Sequence, residues 1–206
     1  MNRLTTRLAL LALLLMAQGC GGILTSDQPA RQTYLLTPLA TSLPATAGDG
    51  AVDLALDVAA IPGLDTDRIL ALGADARLQP VSNARWTDHL PEVLTSILER
   101  SLEATGQFSS VHGSDHAAEG GWLLQLEVRE FFGIQDGAGN TSSVRVGLAG
   151  NIECNGDRHP LRLDEAHPVA AQRLASVVAA HQAGLDGVTR ELIDRIGQVC
   201  KTGGAR

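Results

Sequence analysis

The sequence predicts an α+β domain, in which two amphipathic helices pack on one face of a mostly antiparallel sheet. Three observations carry that prediction. From Ala51 onward Val52, Leu54, Leu56 and Val58 alternate with Asp53, Ala55, Asp57 and Ala59, the period of a strand. Apolar residues recur at three- and four-residue steps from Leu90 to Leu102 and again from Val177 to Cys200, the spacing of a helix with one buried face. Trp122 to Phe132 and Val144 to Cys154 flank the turn-rich Gln135 to Ser143, with its Asp136-Gly137 and Gly139-Asn140 pairs, which predicts an antiparallel hairpin.

The chain opens with Met1-Asn2-Arg3 and a second arginine at Arg7, followed by an unbroken apolar run from Leu8 to Met16. This charged-then-apolar order is that of a secretory signal. The run is about half the roughly twenty residues a transmembrane helix needs, and no later stretch approaches that length. Ala17-Gln18-Gly19-Cys20 follows, then Gly21-Gly22, and this resembles the lipobox of bacterial lipoproteins, with Ala17 where leucine is usual. Cysteine is the residue this chemistry requires, because its thiol is readily alkylated by a diacylglyceryl group before cleavage frees its amine for a further acyl chain. Two or more chains, at about 0.8 kcal/mol per buried methylene, anchor stably where one does not. The alternative is an ordinary signal peptide cut after an A-x-G sequence. Gly21 in place of aspartate implies the outer membrane under the sorting rule of Gram-negative lipoproteins.

Removing residues 1 to 19 leaves 187 of the 206 residues, enough for one domain with a proper core. Arg3 and Arg7 leave with the signal, so the 16 basic residues fall to 14 against 23 acidic ones and the mature charge is about −9. Nucleic acid is therefore not an expected partner, and attachment to anionic head groups is expected to rest on acyl chains rather than on a basic patch.

Residues 21 to 50 are rich in Thr, Ser, Pro, Ala and Gly and read as a tether, with Tyr34-Leu35-Leu36 a possible short edge strand. Pro62-Gly63 stops the strand that begins at Ala51, and short strands at Arg68 to Leu72 and near Arg77 to Val81 flank the turn Gly73-Ala74-Asp75. Thr87-Asp88 offers a cap for a helix from Asp88 to Thr105, with Pro91 in its first turn and Gly106 as its left-handed terminator. Phe108 to Val111 is a short strand candidate, Gly113 to Gly121 a polar loop, and Arg158 to Leu163 a strand after the turn Asn155-Gly156-Asp157. The last helix has Ser176 as its expected cap. The expected organisation is thus a signal at 1–19, a lipidated end and tether at 20–50, one domain at 51–200 and a disordered tail at 201–206.

Two cysteines remain after Cys20. Cys154 shares the inward face of its strand with Val144, Val146, Leu148 and Ile152, and Cys200 ends the apolar stripe of the last helix. An even number in an oxidising compartment, both pointing inward, predicts a Cys154–Cys200 disulfide. Two free thiols are the alternative.

No catalytic constellation is evident. There is no G-x-S-x-G, no free cysteine with a histidine partner, and Gly137-Ala138-Gly139 lacks the strand-to-helix context of a phosphate loop. His112, Asp115, His116 and Glu119 fall within one short stretch, but without the fixed spacing of a zinc site they read as an exposed polar loop. The acid pairs Asp53/Asp57 and Asp65/Asp67 read as solvated positions, and His181, on the apolar stripe, as a hydrogen-bonded core residue. The expectation is a protein with no cofactor and no metal that is not an enzyme.

One pattern is more specific. Ile61-Pro62-Gly63-Leu64-Asp65-Thr66-Asp67-Arg68-Ile69, a short hairpin, and then Ala84-Arg85-Trp86-Thr87-Asp88-His89-Leu90-Pro91 opening a helix resemble the ABC-type transport auxiliary lipoproteins, also called paraquat-inducible protein C-like. Tyr34-Leu35-Leu36-Thr37-Pro38, the lipobox and the final helix extend the likeness over nearly the whole chain. Gly63 departs from the larger residue often found there, and the Cys154/Cys200 pair is not carried over from the family. The resemblance implies an outer-membrane partner of mammalian-cell-entry (MCE) proteins, which form lipid-carrying tubes or rings served by an inner-membrane ATPase and permease, and implies assembly as a homo-oligomer. Arg85, Trp86, Leu64 and Arg68 are then candidates for the partner interface, with Trp86 equally a core candidate. A periplasmic carrier holding a lipid itself, or an outer-membrane assembly lipoprotein, are the rival readings.

Overall fold

The computed structural model describes residues 31–40, 52–114 and 120–200. Cys20, the signal and most of the expected tether lie outside the described residues, as do Asp115, His116, Glu119 and the tail. No described helix is long and apolar enough to cross a membrane. The described residues fall in one compact unit, whose elements are β1 (Gln32–Tyr34), β2 (Val52–Ala60), β3 (Arg68–Leu72), β4 (Leu78–Trp86), α1 (Leu90–Glu103), β5 (Phe108–Gly113), β6 (Trp122–Gln135), β7 (Thr141–Cys154), β8 (Asp157–Pro168) and α2 (Leu174–Val199).

The eight strands form a single mixed sheet, and this overturns the expectation of a mostly antiparallel one. Four of the seven pairings are parallel: β1 with β4, β2 with β5, β2 with β6 and β3 with β6. Only β3/β4, β6/β7 and β7/β8 are antiparallel. The antiparallel pairs are all strands consecutive in the chain, joined by short turns, whereas every parallel pair joins strands separated by other elements, and connections of that length allow a parallel return. The fourteen-residue β6 organises the rest, pairing along its length with β7 on one side while β2 (Leu54↔Trp122 to Ala60↔Val128) and then β3 (Ala71↔Gly133) share its other edge.

Cross-strand partners point to the same face, so Leu54, Trp122, Leu56, Leu124 and Ile152 project together. They meet Leu94, Leu98 and Leu102 of α1 and Leu185, Val188, Leu192 and Ile196 of α2 in one buried cluster. Both helices start without a side-chain cap, against the expected roles of Asp88 and Ser176. Asp88 accepts from the N–H of His89, whereas the first-turn N–H of Leu90 donates to the carbonyl of Thr66 at 3.2 Å. A neighbouring loop carbonyl thus takes the place of the cap in satisfying one of the donors a helix start leaves open.

At Gly150 of β7 the backbone of β6 leaves no room for a side chain. A Cβ built there would lie 1.9 Å from the carbonyl oxygen of Gln125 and 3.0 Å from the Cα of Leu126, atoms that yield only if the strand moves. Gly150→Ala is expected to lower stability by about 2 kcal/mol through this overpacking, measured as a shift of the urea midpoint; an unchanged midpoint would show that β6 and β7 part more readily than their register implies.

Candidate functional site

The two halves of the sequence motif come together in space. The N–H of Trp86 donates to the carbonyl of Asp67 at 2.7 Å, and that of Leu90 to Thr66. Arg85 Nη1 lies 3.1 Å from Asp67 Oδ2, and His89 Nδ1 lies 2.9 Å from Asp65 Oδ1, which raises the His89 pKa above its ordinary 6.5. Gly63, at φ +99°, takes the left-handed turn that lets the 61–67 loop fold back over the start of α1. Asp65, His89 and Glu92 bring ligand atoms within 4.8 Å of one another in an exposed position, where the Asp65–His89 hydrogen bond accounts for the approach.

Of the four interface candidates, two are interior. Trp86 and Leu64 are each 1% exposed, so neither presents a surface to a partner. The physical reason is strand alternation, which turns Ala84 and Trp86 inward and leaves Arg85 between them on the outer face. Trp86 packs edge-on against Phe131 (ring centroids 5.7 Å apart) and His181 (5.3 Å). Arg68 is exposed and Arg85 partly so, and as cross-strand partners of β3 and β4 they stand side by side. Cys154 and Cys200 are joined by a disulfide, with Cα atoms 5.7 Å apart. His112 places Nδ1 3.1 Å from the carbonyl oxygen of Gly113.

Sequence reasoning missed how firmly residues 31–40 are built in. β1 runs parallel to the end of β4 with Gln32 opposite Ala84. Leu36 is 1% exposed while its neighbour Leu35 is 65% exposed. The carboxamide of Gln182 on α2 grips Thr37 twice, accepting from its N–H and donating to its carbonyl, each at 2.9 Å, and Ser101 on α1 accepts from the N–H of Leu39. The segment is a strap across sheet edge and both helices, and it belongs to the domain whose start the sequence put at residue 51. Gln182→Ala is expected to expose this strap to proteolysis and to cost about 1 kcal/mol of stability; a digestion rate equal to that of the native chain would remove the strap from the account.

A polar cleft of about 270 Å³ opens beside the strap, lined by Arg31, Asp67, Arg68, Ser82, Asn83 and Arg85. The only sequence signal for it is Asn83, a residue type that tolerates the left-handed backbone it adopts here (φ 57°).

Residues 34–193 match the protein family described as ABC-type transport auxiliary lipoprotein component. None of the curated proteins matches the chain significantly. Among solved structures, the fold is similar to that of protein XCC0632 from Xanthomonas campestris, of the family DUF330, at 22% identity and a TM-score of 0.63, covering 80% of this chain and 94% of that one. It is similar also to an uncharacterized protein at 16% identity and a TM-score of 0.64, covering 82% and 99%. At these identities the likeness establishes the fold alone.

Proposed function

Because the chain belongs to the ABC-type transport auxiliary lipoprotein components, we propose that it is anchored through acylated Cys20 at the periplasmic face of the outer membrane and there docks the MCE protein of an ABC transport system, with no chemistry of its own. The coarser part, an envelope lipoprotein serving an ABC-type transporter, follows from family membership. The observation that carries the finer part is the strap. Residues 32–34, which follow Cys20 in the sequence, enter the fold as a β-strand, and Thr37 and Leu39 are held by Gln182 and Ser101 on the two helices, so the segment that follows the proposed anchor in the chain is part of the domain. That suits a module that must hold a partner at a fixed place on a bilayer.

The rival reading, a carrier that encloses lipid between helices and sheet, is not favoured by the packing. Leu54, Leu94, Leu98, Leu124 and Leu185, each 0% exposed, fill that space. The test is photo-crosslinking in cells from positions 68 and 85, on the accessible face of the motif. A crosslink to the MCE protein encoded by the same genome is expected. No such crosslink, together with a stoichiometric lipid in the purified protein, would overturn docking in favour of carriage.

A further inference from the structure

We propose that the cleft between Arg31, Arg68 and Arg85 binds a phosphate group, the ligand being the head group of a phospholipid. The choice of a lipid head group rests on the anchoring through Cys20 proposed above, and not on the identity of the docking partner.

The cleft exists because β3 and β4 fall out of register. Arg68 pairs with Arg85 and Leu70 with Pro80, so the single residue Ile69 faces four residues of β4, and the segment around Asn83 swings away from the ladder. Three arginines line this opening. Arg68 and Arg85 are direct cross-strand partners, and Arg31 precedes Thr33, the β1 partner of Arg85, by two residues; the strand period puts it on the same side. Like charges directly opposite each other on a sheet are destabilising. Only one carboxylate, Asp67, lies among them, and it is engaged with Arg85.

Elsewhere six arginines, Arg77, Arg129, Arg145, Arg158, Arg162 and Arg195, each have a carboxylate within 4 Å, and Arg100 and Arg173 donate to Ser96 and Ser176 on their own helices. Arg31 and Arg68, like the exposed Arg190, have no carboxylate partner among the described residues, and Arg31 and Arg68 line one cleft. A concentration of fixed positive charge that the fold leaves uncompensated is complementary to an anion. Guanidinium forks match the paired oxygens of phosphate, in a geometry that ammonium groups do not reproduce. Position favours a head group as the source. Arg31 follows Cys20 by eleven residues, and a fully extended chain covers at most ~3.6 Å per residue, so the cleft stays within about 40 Å of the acyl chains.

The experiment uses the mature chain with Cys20→Ser, so that no acyl chain contributes, in 0.15 M salt. Binding to phosphatidylglycerol–phosphatidylethanolamine vesicles is measured by flotation, and binding of inorganic phosphate by chemical-shift titration. The double variant Arg31→Gln/Arg68→Gln is expected to weaken vesicle binding at least tenfold, Arg68→Lys about threefold, and Arg190→Gln, an exposed arginine on α2, by less than twofold. Because Arg68 faces a like charge, its replacement is not expected to lower the melting temperature, which separates loss of binding from loss of fold. Arginine-dependent binding of both probes supports the head-group assignment. Arginine-dependent binding of inorganic phosphate alone supports the site and overturns the lipid as its source. Binding by neither, or an equal loss in Arg190→Gln, overturns the proposal.

Discussion

Replacing Cys154 and Cys200 together by alanine is expected to lower folding stability by about 4 kcal/mol. The bond spans a sequence separation of 46 residues, and closing a loop of that length removes conformational freedom from the unfolded chain worth about this much. Its location makes the loss local as well as global. Cys154 ends β7, and Cys200 follows the last residue of α2, its N–H donating to the carbonyl of Ile196 at 2.9 Å. The closed loop contains all of β8 and α2, the helix that also holds Gln182 against the strap. Both half-cystines are buried, at 2% and 3% exposure, so the native bond is shielded until the end of α2 lifts. Urea unfolding of the oxidised protein and of the double variant gives the difference directly. Dithiothreitol should lower the midpoint of the native protein and leave that of the variant unchanged; coincident midpoints for the two proteins without reductant would mean that the bond contributes nothing to the fold.

The local elements were legible in the sequence and the way they join was not. Alternation and helical spacing are properties of one segment, and they placed β2, β3, α1, β6, β7 and α2 within a few residues of their observed bounds. Neighbour choice is a property of pairs of segments, and the sequence offers it only where a tight turn forces two strands together, as at Gly73–Asp75 and Asp136–Asn140. Extending those two hairpins to the whole sheet produced the antiparallel expectation. The counter-signal was the length of chain between Val52 and Phe108, where a hairpin and a helix separate β2 from β5, a connection long enough for a parallel return and far longer than a hairpin turn. The same limitation governed the site. The motif at 61–69 and 84–91 was visible as a string, but it left Trp86 open between core and interface, because the strand expected near Arg77 to Val81 stopped short of the alternation that turns Trp86 inward. The cleft needed more than the string, because Arg31, Arg68 and Arg85 meet only after β1 has paired with β4 and the β3/β4 register has slipped.

Acidification from pH 6.5 to 4 is expected to destabilise the domain by about 3 kcal/mol through one side chain, His181. Its ring is 0% exposed, packed between Trp86 and Phe131 with centroids at 5.3 and 5.0 Å. Nδ1 lies 2.9 Å from the carbonyl oxygen of Val177. A carbonyl only accepts, so Nδ1 carries the proton and Nε2, which has no partner among the described residues, is the bare acceptor of a neutral imidazole. A second proton would place a charge in the core, and burial holds the pKa down at about 4 against the ordinary 6.5. Above pH 6.5 folded and unfolded chains both carry the neutral ring and its titration does not affect stability. Below 6.5 the unfolded chain takes up a proton that the folded chain refuses, so stability falls, by about 2 kcal/mol at pH 5, and levels off below pH 4. His181→Leu keeps an apolar side chain beside Trp86 and removes the titrating group, so its urea midpoint should lose this component of the pH dependence while the native protein keeps it. Proton resonances of His181 in the folded protein should not move between pH 7.5 and 5. A ring that titrates near 6.5, or a variant whose midpoint falls with pH as steeply as that of the native chain, would mean that water reaches Nε2 and that the space between Trp86, Phe131 and α2 is not the closed core described above.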